Sequence, residues 1–398
     1  MIAGLVAGAR FFGSLPGYLR RRVQPEEARQ MVRERLATRG ERLLDRLRRD
    51  IFTRPGSPYG QLMSYAGCEF GDVQAAVRAD GVDAVLERLL RAGVYLTVDE
   101  FKGRAPVRRG ASFRIDVRPE DLRSPRAAYH LRASTGGSRS AGTPVLIDLR
   151  FVRACAANCL LCLDAWGGRE WIRADWETPG AGARFRLTKF GMFGDRPPQA
   201  WFTQIDPEDP LLPAIVKWNT RAMQWSSRLA GRPLPGPVAC PLDNPEPVVR
   251  WMEGVLRSGA TPLVFTFPGS AVRACATAAE RGISLTGGRF LVAGEPITAA
   301  RVNTLQRAGC QAIPRYGTIE CGAIGYGCPH GEHSDDIHLH EHMFGLIQAG
   351  EHAPALGVVR EALFLTGLDC HSPFLMLNVS MGDQAEMTRR RCGCPLEE

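Results

Sequence analysis

The stretch that decides the fold is Pro262–Pro314, PLVFTFPGSAVRACATAAERGISLTGGRFLVAGEPITAARVNTLQRAGCQAIP. Three short apolar runs, Pro262 to Phe267, Phe290 to Ala293 and Gln311 to Pro314, alternate with two stretches of helical spacing, Ser270 to Arg281 and Thr298 to Ala308. Short β-branched or aromatic runs alternating with helices predict parallel strands covered by helices, an α/β fold. Upstream, Val145 to Leu149 and the residues ending at Ala133 read as two further strands around a loop rich in glycine and serine. From Pro25 to Arg49 the apolar spacing predicts one long amphipathic helix, and Val73 to Ala92 predicts another, interrupted at Gly81. The segment from Trp176 to Pro247 mixes Pro, Gly and Trp without periodicity, and reads as loops and short helices walling a cleft.

At 398 residues, 44% hydrophobic and 23% charged, the chain can bury a large core, and both disorder and a channel are excluded. The net charge of +8 is spread along the chain outside the arginine-rich stretch 20–49, which argues against a nucleic-acid partner. Lys102, Lys189 and Lys217 are the only lysines; all other positive side chains are arginine. The 12 cysteines lack the spacing of a disulfide framework, so reduced thiols in a cytoplasmic setting are expected. Residues 1–23 hold Arg10 within a mildly apolar run and lack a cleavage signal, so they read as a first helix and no membrane span is expected.

Chemistry concentrates in the loop Ser134 to Pro144, STGGSRSAGTP, between two strands. Glycines and hydroxyls at this density can turn several N–H and O–H donors onto one phosphate. Three more motifs follow in order: Gly294-Glu295-Pro296 after a strand, Arg315-Tyr316-Gly317-Thr318-Ile319-Glu320 after another, and Met381-Gly382-Asp383 near the end. Taken together these motifs resemble the adenylate-forming superfamily of acyl-CoA synthetases, and within it the phenylacetate-CoA ligase-like branch. The resemblance covers residues 58–398 as a large N-terminal adenylation domain, β-sheets flanked by helices, after a helical segment 1–57.

The resemblance implies activation of a small carboxylic acid by ATP and Mg²⁺ to an acyl adenylate and pyrophosphate, with CoA, a carrier or a protein thiol as acceptor. Ser134, Thr135, Gly136, Gly137, Ser138, Gly142 and Thr143 would cradle phosphate, and Glu320 would stand on the metal side. Tyr316, Gly317 and Thr318 would lie beside the adenine, with Gly294, Glu295 and Pro296 as the facing edge. Asp383, acceptor-only when ionised, suits the ribose hydroxyls. Apolar and aromatic residues at 201–203, 265–270 and 293 suit an aryl or medium-length acyl group.

Two departures from the family pattern qualify that expectation. Thr143 holds the usual lysine place of the loop, with Arg139 as the replacement charge, and Ile319 removes a hydroxyl before Glu320. The family continues past the Asp383 motif into a mobile domain that carries a catalytic lysine, whereas no lysine follows Lys217 here. Catalysis is then expected to be incomplete without a C-terminal domain or partner chain. The rival expectation is a non-catalytic or carrier-binding relic of the same fold.

A second constellation, within 321–398, holds Cys328, His330, His333, His338, His340, His342 and the late pair Cys392 and Cys394. Thiolates and imidazoles suit structural Zn²⁺. The resemblance maps the ligands to Cys328, His338, Cys392 and Cys394, with His330 or His340 as the alternative imidazole. A third pattern, Cys155, Cys159 and Cys162, has the spacing of a radical iron–sulfur enzyme, but its apolar helical surroundings predict ordinary buried thiols.

Overall fold

The computed structural model describes residues 2–134 and 143–397. Two short antiparallel pairs come first: β1 (Val107–Arg109) with β2 (Phe113–Ile115), and β3 (Leu131–Ser134) with β4 (Pro144–Ile147). The main sheet holds β5 (Ile172–Glu177), β6 (Ala200–Thr203), β7 (Pro237–Ala239), β8 (Pro262–Thr266), β9 (Arg289–Val292), β10 (Gln311–Thr318), β11 (Gly322–Gly327) and β12 (Ile337–Leu339). Its spatial order is β12-β11-β10-β9-β8-β5-β6-β7, and all pairs from β10 to β7 are parallel. A separate antiparallel sheet orders β13 (Phe344–Gln348), β14 (Ala362–Gly367) and β15 (Val379–Gln384).

Helices connect successive parallel strands, and the sheet is buried on both faces. Alternation along β8 and β9 divides the core in two. Leu263, Phe265 and Leu291 face one cluster, which includes Phe151 and Leu163 of helix Leu149–Ala165 and Leu187 and Phe190 of helix Ala181–Gly191. Val264, Phe290 and Val292 face the other, with Val249 and Met252 of helix Glu246–Arg257 and Ala274 of helix Pro268–Glu280. The N-terminal helices join the first cluster through Phe11, Leu15, Leu43 and Leu47.

Two local expectations are corrected. The segment read as an irregular wall contains the end of β5 and all of β6 and β7, with helices Ala181–Gly191 and Ala214–Leu229, and so completes the parallel sheet. Its strands are short, and β5 carries Arg173 and Asp175 at 3% and 0% exposure, so buried charges interrupt the apolar run that would have marked it. The long helix expected over 25–49 is three pieces, Pro25–Ala37, Arg39–Arg46 and a π-helical turn Leu47–Phe52. Thr38 breaks it: its φ of −102° and ψ of 17° leave the helical region, and its hydroxyl donates to the Glu34 carbonyl at 2.7 Å.

Candidate active site and metal centre

Parallel α/β sheets open their ligand crevices beyond the carboxyl ends of the strands. Two expected motifs occupy that edge, with Gly294 to Pro296 following β9 and Tyr316 to Thr318 ending β10, and the segment 267–269, expected near the acid pocket, follows β8. Gly294 has φ of 84°, and a Cβ there would stand 2.8 Å from the Phe267 ring, so the turn requires glycine. Glu295 accepts from the Gly269 N–H at 3.1 Å and pairs with Arg301 at 3.0 Å, while the Pro296 carbonyl accepts from Arg301 at 2.7 Å. These contacts fix two adjacent loops as one rim.

Tyr316 and Asp383 lie 67 positions apart in sequence, and the fold joins them: the phenol donates to Asp383 Oδ2 at 2.8 Å. Burial, and then the Asp383 charge, push the phenol above its ordinary value. The β10–β11 register shifts between Tyr316 and Gly317, and a Cβ on Gly317 would fall 2.1 Å from the Gly322 carbonyl oxygen. Gly317 is therefore demanded by its own hairpin as much as by any ligand. Thr318 Oγ1 and Cys321 Sγ are 3.2 Å apart. Ser134 ends β3 opposite Pro144, and Thr143 immediately precedes β4. Thr135, Gly136, Gly137, Ser138, Arg139 and Gly142 lie outside the described residues.

Glu320 follows β10 with a side chain 4% exposed, and the ammonium of Lys102 is its ion-pair partner. A magnesium-type cation needs several oxygens. One carboxylate together with nucleotide phosphates can supply them, and in this structure one of the two Glu320 oxygens faces the Lys102 ammonium. The sequence reading missed Lys102. Its signal was available: it is one of three lysines in a chain that otherwise uses arginine.

Beneath this edge lies a second charged network. Arg186 bonds Asp175 at 2.6 Å and Glu177 at 2.5 Å, and burial pushes the Glu177 carboxyl up to about 7. Lys189 donates to the Tyr326 hydroxyl at 3.4 Å between the Phe190 and Phe265 rings; burial holds it below its ordinary value. Of the residues expected to shape an acid pocket, Trp201 and Phe265 lie in one core cluster and Phe202 in the other. A concavity of about 330 Å³ lined by Trp171, Arg173, Pro197, Gln199 and Pro235 opens instead at the amino ends of β5 and β6.

At the far edge of the sheet four soft donors converge. Cys328 follows β11, His338 sits in β12 opposite Tyr326, and Cys392 and Cys394 return from the tail. His338 Nε2 is 3.4 Å from Cys392 Sγ and 3.1 Å from Cys394 Sγ, and all four ligand atoms lie within 4.8 Å of one another. Ligands about 2.1–2.3 Å from a tetrahedral centre stand at such separations, so three thiols and one imidazole fit Zn²⁺. The alternative imidazoles are not part of the converging set. His330 Nδ1 meets the Cys392 carbonyl at 3.2 Å, and the half-buried His340 ring packs 5.5 Å from both Tyr326 and His342. Arg390 ties the tail to Asp336 and Glu332, each at 3.0 Å.

Cys155, Cys159 and Cys162 are buried in helix Leu149–Ala165. Burial pushes the Cys155 thiol up to about 12 and raises the Cys162 thiol well above its ordinary value, the opposite of what a cluster-binding thiolate needs.

The fold is that of the adenylate-forming enzymes. An open conformation of 2-hydroxyisobutyryl-CoA ligase in complex with 2-HIB-AMP and CoA is similar over 90% of this chain and 73% of its own, with 14% identity and a TM-score of 0.50. VinN matches over 72% of this chain and 56% of its own, at 17% identity and a TM-score of 0.37. A luciferase-like enzyme from the Zophobas morio mealworm matches over 68% and 57%, at 10% identity and 0.38. The chain thus spans less than two thirds of the latter two proteins. No protein-family model and no curated protein matches it. Among the described residues no helix is long and apolar enough to cross a membrane.

Proposed function

We propose that the chain binds an adenine nucleotide at the carboxyl edge of β8, β9 and β10 and activates a small carboxylic acid as its acyl adenylate, with CoA or another thiol as acceptor. The observation that carries this reading is the meeting of Tyr316 and Asp383 at that edge of this fold. In the proposal the Tyr316 ring and Gly317 flank the base, Gly294 to Pro296 form the opposite rim, and Asp383 accepts from ribose hydroxyls. Ser134, Thr143 and the loop between them, Arg139 included, would meet the phosphates. Zn²⁺ on Cys328, His338, Cys392 and Cys394 would be structural and close the tail onto β11 and β12.

The test is ATP–pyrophosphate exchange by the purified chain with a panel of aryl and medium-length acids. It is run with and without the C-terminal domain of a related ligase added in trans. Acid-dependent exchange supports the reading, and exchange only with the added domain supports completion by a partner. A second reading is favoured by Glu320, whose charge is met by Lys102: a protein that binds nucleotide but turns it over poorly. Nucleotide binding without exchange under either condition would select it.

A further inference from the structure

Helix Ala214–Leu229 is built inside out. Its buried positions are Thr220, Met223, Ser226 and Ser227, all but one of them hydroxyl residues. Ser226 donates to the Phe12 carbonyl at 2.6 Å, and Ser227 to the Gln224 carbonyl at 2.8 Å. The large apolar side chains lie on the other face. Ile215, Trp218, Trp225 and Leu229 are exposed, the last three at 65%, 67% and 70%, and so is Leu211 just ahead of the helix. Steps of three, seven and four residues put the four helical positions on one stripe. At 1.5 Å per residue it runs about 21 Å. Single apolar residues on a surface need no explanation, but a continuous stripe carrying two tryptophans marks an interaction surface.

The stripe is framed by positive charge. Lys217, Arg221 and Arg228 form a row beside it at helical spacing, and Arg20, ending helix Ile2–Arg20, donates to the Leu229 carbonyl at 2.5 Å. The two helices pack together, with the Phe12 ring edge-on to Trp218 at 6.3 Å, and neither contains an aspartate or glutamate. Helices Pro25–Ala37 and Phe70–Arg91, by contrast, interleave both signs. Glu208 meets Lys217 at 3.6 Å, and Asp195 pairs with Arg22. Arg20, Arg221 and Arg228 have no carboxylate partner among the described residues, and the Arg228 guanidinium lies 5.8 Å from the centre of the Trp225 ring.

Charge decides what covers the stripe. A second copy of this chain, docked about a two-fold axis, would set one row of arginines against the other, which like charges oppose. An anionic lipid bilayer complements it. Tryptophan and leucine side chains enter the boundary between headgroups and acyl chains, while arginines meet lipid phosphates at the same depth. The helix has 16 residues and three cations, so it would lie along that boundary and not cross it.

We propose that Ile215, Trp218, Trp225 and Leu229, with Arg20, Arg221 and Arg228, form a docking surface for an anionic phospholipid bilayer. Helix Ala214–Leu229 lies flat in the headgroup region, and the body of the protein stays in water. The surface uses no group of the nucleotide edge, so the proposal stands apart from the adenylation reading.

The test is flotation of the full chain with vesicles made of equal parts of phosphatidylcholine and phosphatidylserine, and with vesicles of phosphatidylcholine alone. Binding is expected on the mixed vesicles, and about tenfold or more weaker without phosphatidylserine or at high salt. Trp218→Ser with Trp225→Ser should lower partitioning about tenfold or more. Arg221→Gln with Arg228→Gln should lower it about twentyfold, at about fivefold for each basic residue near an anionic surface. These positions are exposed, so melting temperatures should not change. Arg257→Gln with Arg307→Gln removes the same charge from exposed positions on two other helices and should leave binding unchanged. No binding to mixed vesicles, equal binding to both kinds, binding that survives loss of both tryptophans, or equal losses in the two arginine pairs would overturn the proposal. A dimer that the tryptophan variant separates, in protein that does not bind vesicles, would give the stripe to a second copy instead.

Discussion

The Tyr316 hydroxyl donates to Asp383 at 2.8 Å, so the ring and the carboxylate proposed to serve one nucleotide hold each other. A bound ribose would compete with the phenol for the same carboxylate. Tyr316→Phe should therefore leave ATP affinity unchanged or raise it, whereas Asp383→Ala should weaken it by about tenfold or more, the scale of hydrogen bonds to a charged group. Titration calorimetry decides. Equal losses in both variants would mean that the pair acts only as a strut between β10 and β15.

Lys102 and Glu320 are nearly excluded from water at 10% and 4% side-chain exposure. Removing one partner leaves a buried charge without compensation, which costs about 3–5 kcal/mol. Lys102→Met should lower urea stability on that scale, and Lys102→Met with Glu320→Gln should recover most of it. Losses that simply add would show that the two side chains do not act as a pair.

Metal analysis of protein purified without chelator should find one zinc per chain, on Cys328, His338, Cys392 and Cys394. Cys392→Ser with Cys394→Ser should lower the melting temperature by several degrees and open the tail beyond residue 384 to protease. Protein lacking zinc but melting at the same temperature as a loaded sample would contradict a structural metal.

His371, raised to about 9 chiefly by Asp148, gives a signed pH dependence. Its ordinary value is 6.5, so the stabilisation is complete below pH 6.5 and is lost as pH rises through 9. His371→Gln should melt well below the unsubstituted protein at pH 6 and close to it at pH 9.5. Thermal melts across that range test it.

The parallel sheet was legible where its strands are unbroken apolar runs, as in β8 and β9. It was illegible in β5, because Arg173 and Asp175 are buried inside a strand and a sequence records charge without recording its partner. The same reason hid Lys102 behind Glu320, separated by 218 positions, and Asp148 behind His371. Residue density marked the region of the four converging donors, but it was the family resemblance that picked Cys328, His338, Cys392 and Cys394 out of a stretch with more imidazoles than one site needs. Tyr316 and Asp383 were each named from motifs, but their mutual bond belongs to the packing of β10 against β15 and has no signature in either stretch.

The converging thiols and imidazole are also a staple. His338 and Cys392 are separated by 54 positions, and the whole three-stranded sheet with Asp383 lies between them. By the chain-entropy estimate for a covalent link, closing a loop of that length restricts the unfolded chain by about 4 kcal/mol. A metal ion there would act chiefly on the denatured ensemble, so a segment without a metal ligand of its own, Phe344 to Gln384, would hold its native pairing more tightly or more loosely according to how much zinc the protein carries.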